Sequence, residues 1–153
     1  MEAVIASPLG QIKIRSNGKA LLELKFTEEP VTEGDLMDPI LEQTRTELRE
    51  YFDGTRKEFS VNISQSGTPF QKRIWEELVR IPYGETISYG ELARRAGSPN
   101  ASRAAGSANG RNGIAILVPC HRVIQADHKI GGYASGPLHK SFLLDLEKAS
   151  YRK

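Results

Sequence analysis

The hydrophobic pattern of this chain changes its period once, across the short uncharged connection from Ser64 to Gly67. Before it, apolar residues alternate in short runs between turn-forming residues, which predicts β-strands. After it, apolar residues recur every three or four positions, which predicts α-helices. A length of 153 residues suits one domain or two small ones. We therefore predict an α+β fold with two domains, residues 1–64 and 65–153.

The first domain has the signals of a small antiparallel β-sheet with one helix. Asn17-Gly18 lies between two alternating runs and predicts a hairpin turn, because both residues tolerate positive φ. A helix is predicted over residues 39–52, with Asp38 as its N-cap. The residues show no pattern of chemistry, so we expect a scaffold. The predicted strands are residues 1–7, 11–16, 20–26 and 59–63.

The second domain is predicted to be mostly helical. Thr68-Pro69 has the pattern of an N-cap followed by proline at the first helical position. Two short helices, starting at Ser88 and at Ser98-Pro99, are joined by a turn that contains a glycine, which matches a helix-turn-helix. Two ordinary packed helices fit the same pattern. The predicted helices are residues 69–80, 89–97, 98–108 and 137–148, and the last has its apolar face at Leu138, Phe142, Leu143 and Leu146.

Charge is distributed unevenly along the chain. Residues 1–64 carry 8 Lys and Arg against 12 Asp and Glu, whereas residues 65–153 carry 13 against 7. The basic second part is a candidate for contact with a polyanion such as nucleic acid, although a solvated basic face is the simpler alternative. No apolar run approaches the length of a membrane span, and no secretory signal is recognisable. We expect a cytoplasmic protein.

Cys120 is the only cysteine of the chain, so no internal disulfide or cysteine-rich metal site is possible. It ends an apolar run that begins at Ile116 and is predicted as a strand, and it follows Pro119 directly. His121 and Arg122 come next. A thiol beside a potential base and a fixed cation has the groups of an activated nucleophile. A buried core cysteine is the alternative interpretation.

The run Pro119-Cys120-His121-Arg122-Val123 resembles the active-site signature of the O6-alkylguanine-DNA alkyltransferases, also called methylated-DNA–protein-cysteine methyltransferases. This resemblance implies a DNA repair protein that flips a damaged guanine out of the duplex. The O6-alkyl group then passes irreversibly to Cys120, one group per molecule, without cofactor or metal. The similarity extends over residues 68–147 and includes Ile87-Ser88-Tyr89, the helix with Arg103, Asn112 and Gly131-Gly132-Tyr133.

The resemblance also implies catalytic roles. Cys120 accepts the alkyl group as a thiolate, which requires its pKa to fall below the usual range. His121 acts as base through a bridging water, and Glu147 holds His121. Tyr89 donates a proton to N3 of the departing guanine, and Asn112 fixes the loop near the cysteine. Taken singly, Tyr89 could be a core aromatic residue, Glu147 a solvated charge and Asn112 part of a plain turn.

Further residues are implied to contact DNA and the flipped base. Arg103 fills the space that the base leaves in the stack, and Arg122 contributes packing and charge. Many relatives have proline where Gly113 follows Asn112, which predicts a looser hinge here. The implied DNA-contacting residues are Tyr89, Ser102, Arg103, Ala104 and Arg111. The implied base pocket consists of Pro119, Val123, Tyr133, Ala134 and Ser135. Ala134 stands where some relatives carry serine.

Three other functions compete with alkyl transfer. Alkyltransferase-like relatives bind lesions without a cysteine, and the presence of Cys120 argues against that class. A helix-turn-helix regulator is disfavoured because the second helix offers few long polar side chains for reading bases. A cysteine hydrolase would show turnover. The partner that we expect is double-stranded DNA carrying O6-alkylguanine. We expect the protein to act as a monomer and not to associate with a membrane.

Overall fold

The computed structural model describes residues 1–32 and 34–152. They form two compact units, one of residues 1–65 with 113–115 and the other of residues 66–112 with 116–153. An antiparallel sheet in the first unit and helices in both confirm the predicted α+β class. In the part of the chain that the structure describes, no helix has the length and apolar character needed to cross a membrane.

The N-terminal unit contains a three-stranded antiparallel sheet in the order β1-β2-β3. The Asn17-Gly18 hairpin turn joins β2 to β3, and Gly18 has a positive φ of 87°. Helix α1, Pro39–Phe52, begins where Asp38 Oδ1 accepts hydrogen bonds from the backbone of Ile40 and Leu41. These features are confirmed predictions. The strands are β1 Glu2–Ser7, β2 Gly10–Ser16 and β3 Leu21–Thr27.

The strand predicted over residues 59–63 is wrong, because only Ile63 forms a β-bridge, parallel to Leu21 of β3. The outer edge of β3 is shared between two short segments. At the middle of β3, Leu24 pairs instead with residues 113–115, through hydrogen bonds from Leu24 N to Gly113 O and from Ala115 N to Leu24 O. Neither segment therefore runs far enough along β3 to become a strand.

The second unit is mostly helical, as predicted. Thr68 caps α2 in a reciprocal pair with Gln71, and Trp75 Nε1 donates a 3.0 Å hydrogen bond to Ala108 O of α4. This bond ties the first helix of the unit to the second helix of the helix-turn-helix. The helices are α2 Pro69–Val79, α3 Tyr89–Arg95, α4 Ser102–Gly110 and α5 Pro137–Leu146.

The helix-turn-helix is formed by α3 and α4, but its second helix starts later than predicted. Ser98-Pro99 does not cap α4; the carbonyl of Ser98 instead accepts from Ala101 N and closes a turn. Ala101 is the residue before α4, and its side chain makes no capping hydrogen bond. Because the turn uses this segment, helical residues begin only at Ser102.

The strand predicted to lead into Cys120 is also wrong. Residues Cys120–Arg122 form a 3-10 helix, and Ile116 has a positive φ of 71°. Cys120 N donates to Val118 O across Pro119, which has no N–H for a β-ladder. A continuous apolar run signals burial but cannot by itself distinguish a strand from a buried turn.

A two-stranded parallel sheet brings the start of α3 beside the segment that follows Cys120. Strand β4, Ile87–Ser88, pairs with β5, Val123–Ile124. Ser88 is at once the last residue of β4 and the N-cap of α3, accepting from Glu91 N. Tyr89, the first residue of α3, is therefore held near Cys120 by backbone pairing.

Candidate active site

Cys120 is buried, with only 6% of its surface exposed. Asn112 lies beside it and hydrogen-bonds to the thiol through its side chain, while its Nδ2 donates to Val118 O at 2.8 Å. Asn109, near the end of α4, donates a 3.4 Å hydrogen bond from its Nδ2 to the Cys120 carbonyl. Asparagine side chains thus fasten both the thiol and the backbone of the 3-10 helix.

Burial raises the pKa of the Cys120 thiol above its ordinary value, and this effect outweighs the Asn112 hydrogen bond and the charge of Lys140, which both lower it. The family resemblance implies a lowered pKa for this thiol, but in the structure its pKa is raised. Cys120 is therefore a thiol at neutral pH, and a nearby base has to remove its proton before it can act as a nucleophile.

His121 is completely buried, and its Nε2 lies 2.7 Å from Glu147 Oε2. The same carboxylate accepts from Arg122 Nε at 2.8 Å and from a terminal guanidinium nitrogen at 3.0 Å. The backbone N–H of Gly84 donates to it at 3.3 Å. Glu147 therefore binds both His121 and Arg122.

The charges of this cluster determine which nitrogen of His121 is basic. Burial would raise the pKa of Glu147, but the hydrogen bonds from His121 and Arg122 prevail and hold it far below the usual range. The ionised carboxylate only accepts hydrogen bonds, so His121 Nε2 carries the proton. Burial lowers the pKa of His121, which stays neutral. His121 Nδ1, buried without a partner among the described residues, has the lone pair that can take a proton.

Neighbouring residues of a 3-10 helix point about 120° apart, because the helix has 3.0 residues per turn. Cys120 and His121 therefore project in different directions. No described residue, Cys120 included, hydrogen-bonds to His121 Nδ1. A proton passing from the thiol to His121 needs an intermediary such as water.

The Tyr89 side chain lies between α4 and the glycine-rich loop, residues 131–136. Burial raises the pKa of Tyr89 above its ordinary value, against the hydrogen bond that its oxygen accepts from the Gly132 backbone. A Cβ on Gly131, whose φ is +74°, would lie 3.0 Å from the Tyr89 hydroxyl, and one on Gly106 of α4 would lie 3.5 Å from its ring. Tyr89 therefore remains a protonated donor, in a place that two glycines leave open.

The predicted base-pocket residues differ in exposure. Pro119 and Val123 are buried beside the 3-10 helix, whereas Ala134 is exposed. Ser135 Oγ lies 2.8 Å from His139 Nδ1, which attaches the glycine-rich loop to α5. The Tyr133 hydroxyl is buried and has no partner among the described residues, and burial raises its pKa well above the ordinary value.

The predicted DNA-contacting residues on α4 form an open surface. Ser102, Arg103 and Ala104 occupy the first turn of the helix and are exposed, and Arg111 is exposed just after its end. Arg103 makes no hydrogen bond or ion pair with any residue that the structure describes. Its guanidinium is therefore available to a ligand.

Two members of the site were missed or undervalued in the sequence. Arg122 was assigned only packing and charge, yet it is the main ion-pair partner of Glu147. Lys140 was not considered, although it is completely buried and hydrogen-bonded to Val123 and Gly132. Its signal was available, because Lys140 and Glu147 are seven residues apart and so lie on one helical face.

Comparison with known proteins gives consistent matches over nearly the whole chain. The sequence model of a family described as "6-O-methylguanine DNA methyltransferase, DNA binding domain" matches residues 69–149. A second, described as "6-O-methylguanine DNA methyltransferase, ribonuclease-like domain", matches residues 1–65.

Curated relatives and solved structures agree with these matches. The methylated-DNA–protein-cysteine methyltransferase of Mycobacterium tuberculosis is 46% identical over 149 residues, which cover 95% of this chain and 90% of the relative. That of Methanosarcina acetivorans is 46% identical over 151 residues, covering 95% and 96%. A crystal structure of Mycobacterium tuberculosis OGT in complex with DNA has a TM-score of 0.87 at 44% identity, covering 96% of this chain and 92% of that one. Since the first family model matches more than half of the chain and the relatives align with nearly all of it, the chain belongs to the methylated-DNA–protein-cysteine methyltransferase family.

Proposed function

We propose that this protein repairs O6-alkylguanine in double-stranded DNA by transferring the alkyl group irreversibly to Cys120. The observation that carries the proposal is the site itself: one thiol is buried next to a neutral histidine whose partner, Glu147, is ionised and fully hydrogen-bonded. This is the arrangement of an activated nucleophile with an oriented base. Family membership supplies the substrate class.

The first step is deprotonation of the thiol. A water molecule passes the proton of Cys120 to His121 Nδ1, and the imidazolium that forms is stabilised by the Glu147 carboxylate 2.7 Å from Nε2. This step explains why the resting thiol can tolerate a raised pKa. The thiolate is produced only when the base acts, and burial leaves it poorly solvated and therefore reactive.

The second step is displacement at carbon. Cys120 Sγ forms a bond to the alkyl carbon while the bond from that carbon to O6 breaks, and the bonding electrons pass to the guanine. Tyr89 donates its phenolic proton to N3, so guanine leaves as a neutral base. The phenolate recovers a proton from solvent, and the His121 imidazolium releases one to solvent. The reaction has no later step that releases the alkyl group from sulfur. Cys120 is therefore used once.

Binding is assigned to two surfaces of the same unit. The exposed first turn of α4, with Ser102, Arg103 and Ala104, would enter a DNA groove, and Arg111 would contact the backbone. Pro119, Val123, Tyr133, Ala134 and Ser135 would surround the flipped base. The small residues of α4 leave Arg103 as its one long side chain within the first turn, which suits insertion into the vacated stack.

An Arg103→Ala variant is expected to repair duplex DNA about tenfold to a hundredfold more slowly, because unstacking a base costs a few kcal/mol that the guanidinium would no longer offset. Its reaction with free O6-benzylguanine is expected to be unchanged, since the free base needs no flipping. Rates of adduct formation on the two substrates measure this, with Arg73→Ala, an exposed arginine of α2, as the control. Equal losses on both substrates would contradict the role of Arg103.

The proposed function is tested by intact mass with peptide mapping after incubation with duplex DNA that carries one O6-methylguanine. We expect one methyl group per protein molecule, located on the peptide that contains Cys120. DNA binding without an adduct would indicate a lesion-binding protein, and more than one equivalent of repaired DNA would indicate a hydrolase; either overturns the proposal. A reducing compartment, the cytoplasm, is part of the same proposal because the free thiol has to persist.

A further inference from the structure

The backbone of Gly113 is held by hydrogen bonds from two distant parts of the chain. Its N–H donates to Gln65 Oε1 at 2.9 Å, and its carbonyl accepts from Leu24 N, also at 2.9 Å. All three residues belong to the N-terminal unit, which takes in residues 113–115 from within the sequence of the second unit. The N-terminal unit therefore fixes Gly113 through both of its backbone hydrogen-bonding groups.

Asn112 directly precedes Gly113 and is a residue of the second unit. Its side chain hydrogen-bonds to the Cys120 thiol, and its Nδ2 donates to Val118 O at 2.8 Å. The Cα and carbonyl of Asn112 lie in one rigid peptide plane with the N–H of Gly113. The acceptor that holds this N–H therefore also restricts the backbone that carries the Asn112 side chain.

Glycine is the residue that restricts this position least. Without a Cβ, Gly113 has access to more backbone conformations than any other residue would have. Proline, which many relatives carry here, fixes its own φ but has no N–H to donate. A Cβ on Gly113 would lie 3.4 Å from Gln65 Oε1, so the two residues are already in close approach. In this chain the bond to Gln65 therefore limits a conformational freedom that proline limits covalently in those relatives.

The chemistry of the contact identifies the group of Gln65 that matters. A backbone N–H needs an acceptor, and in an amide side chain only the oxygen accepts. A carboxylate in place of the amide would keep this acceptor, whereas a hydrocarbon side chain of similar size would remove it. Gln65→Glu and Gln65→Leu therefore separate the effect of the acceptor from the effect of side-chain volume.

We propose that Gln65 is a positioning residue for alkyl transfer: by accepting from the Gly113 N–H, it fixes the peptide group of Asn112 and so directs the Asn112 side chain to the Cys120 thiol. This inference rests on the proposed function, because it concerns the same reaction. The effect of Gln65 on the thiol passes through Gly113 and Asn112, so it acts on the rate of transfer and not on binding of the free base.

The test measures adduct formation by the full-length protein with free O6-benzylguanine over a range of concentrations of the base. Gln65→Leu is expected to lower the maximal rate constant about threefold to tenfold, the usual effect of losing one neutral hydrogen bond, and to leave the half-saturating concentration unchanged. Gln65→Glu is expected to react at the wild-type rate, because its carboxylate accepts from the same N–H. Each molecule reacts once, so the final adduct yield counts the reactive molecules and the rate constant refers to these alone.

Hydrogen exchange at the Gly113 amide, measured by NMR, reports the contact directly. We expect this exchange to be faster in Gln65→Leu and close to the wild-type rate in Gln65→Glu, because only the leucine variant lacks an acceptor. Gln11→Leu is the matched control and is expected to behave as the wild type in both measurements. Gln11 lies on β2 in the same unit, and its side chain forms no hydrogen bond with any residue that the structure describes.

A wild-type maximal rate in Gln65→Leu, or equal slowing by leucine and glutamate, would overturn the inference. A change confined to the half-saturating concentration would overturn it as well, because positioning of the thiol acts on the transfer step. If Gln65→Leu does not fold, Gln65→Ala also removes the acceptor and carries the same expectations. A wild-type protein that forms no adduct would instead overturn the proposed function.

Discussion

A Cys120→Ala variant is expected to bind alkylated duplex DNA and to acquire no alkyl group. Cys120 is the only thiol of the chain, and alanine has no atom that can attack carbon. Removing one small buried atom should cost the fold only about 1 kcal/mol, since little apolar surface is lost. The exposed first turn of α4 is unchanged in this variant and keeps Arg103.

Intact mass after incubation with O6-methylguanine duplex, together with a binding assay on the same DNA, measures both parts of this prediction. Wild-type protein that has already been alkylated is the matched control, because it also cannot react again. An adduct on the alanine variant would mean that another side chain accepts the alkyl group, and the site would have to be reassigned. Loss of binding together with transfer would show that Cys120 also holds the DNA surface.

Glu147→Gln is expected to impair both stability and reaction. The carboxylate accepts hydrogen bonds from His121 and Arg122, whereas the amide nitrogen of glutamine is a donor and cannot replace one of its oxygens. The substitution also leaves the buried Arg122 guanidinium without a counter-charge. Breaking a buried pair in this way costs about 3–5 kcal/mol. The variant also lacks the negative charge that stabilises the imidazolium, so the folded fraction should transfer alkyl groups at least about tenfold more slowly.

The lowered pKa of Glu147 makes the stability of the fold depend on pH in the acidic range. The pKa of Glu147 is held well below its unfolded value by His121 and Arg122. The stabilisation is therefore complete above the ordinary glutamate pKa of about 4.3 and is lost as the pH falls below it. Wild-type stability should decline in acid, whereas that of Glu147→Gln should start lower and decline less through this range.

Thermal unfolding at neutral and acidic pH, with reaction rates on O6-benzylguanine, measures these effects. Glu76→Gln, on the exposed surface of α2, is the matched control and should change neither quantity appreciably. A Glu147→Gln variant as stable as the control would show that the cluster contributes little to the fold. Normal rates in that variant would show that His121 does not need its carboxylate partner.

The local features of the fold were predicted from short stretches of sequence. The Asn17-Gly18 hairpin, the Asp38 cap of α1 and the Thr68 cap of α2 each depend on neighbouring residues only, and each is present. The errors occurred where tertiary contacts decide the outcome. Residues 59–63 were predicted as a strand, but the edge of β3 that they would need is also used by residues 113–115.

The apolar face of α5 shows the same limit. Leu138 and Phe142 were assigned to it, yet Leu138 is 81% exposed. The buried face instead carries Lys140, Leu143, Leu144 and Glu147. Hydrophobic periodicity predicts that lysine and glutamate lie on the exposed face, because burying either charge is unfavourable without a partner. Those partners lie on the 3-10 helix, on β5 and on the glycine-rich loop, and spacing within α5 could not reveal them.

The sequence by itself determined the nucleophile and its neighbours, because the chain has one cysteine and histidine and arginine follow it directly. Its resemblance to a family implied Glu147 as a partner of His121, and in the structure Glu147 Oε2 lies 2.7 Å from His121 Nε2. Only the tertiary structure decided that Cys120 lies in a 3-10 helix, that its pKa is raised, and that Lys140 lies between two walls of the site. Burial and charge are set by residues distant in the chain, and they become definite only when the chain has folded.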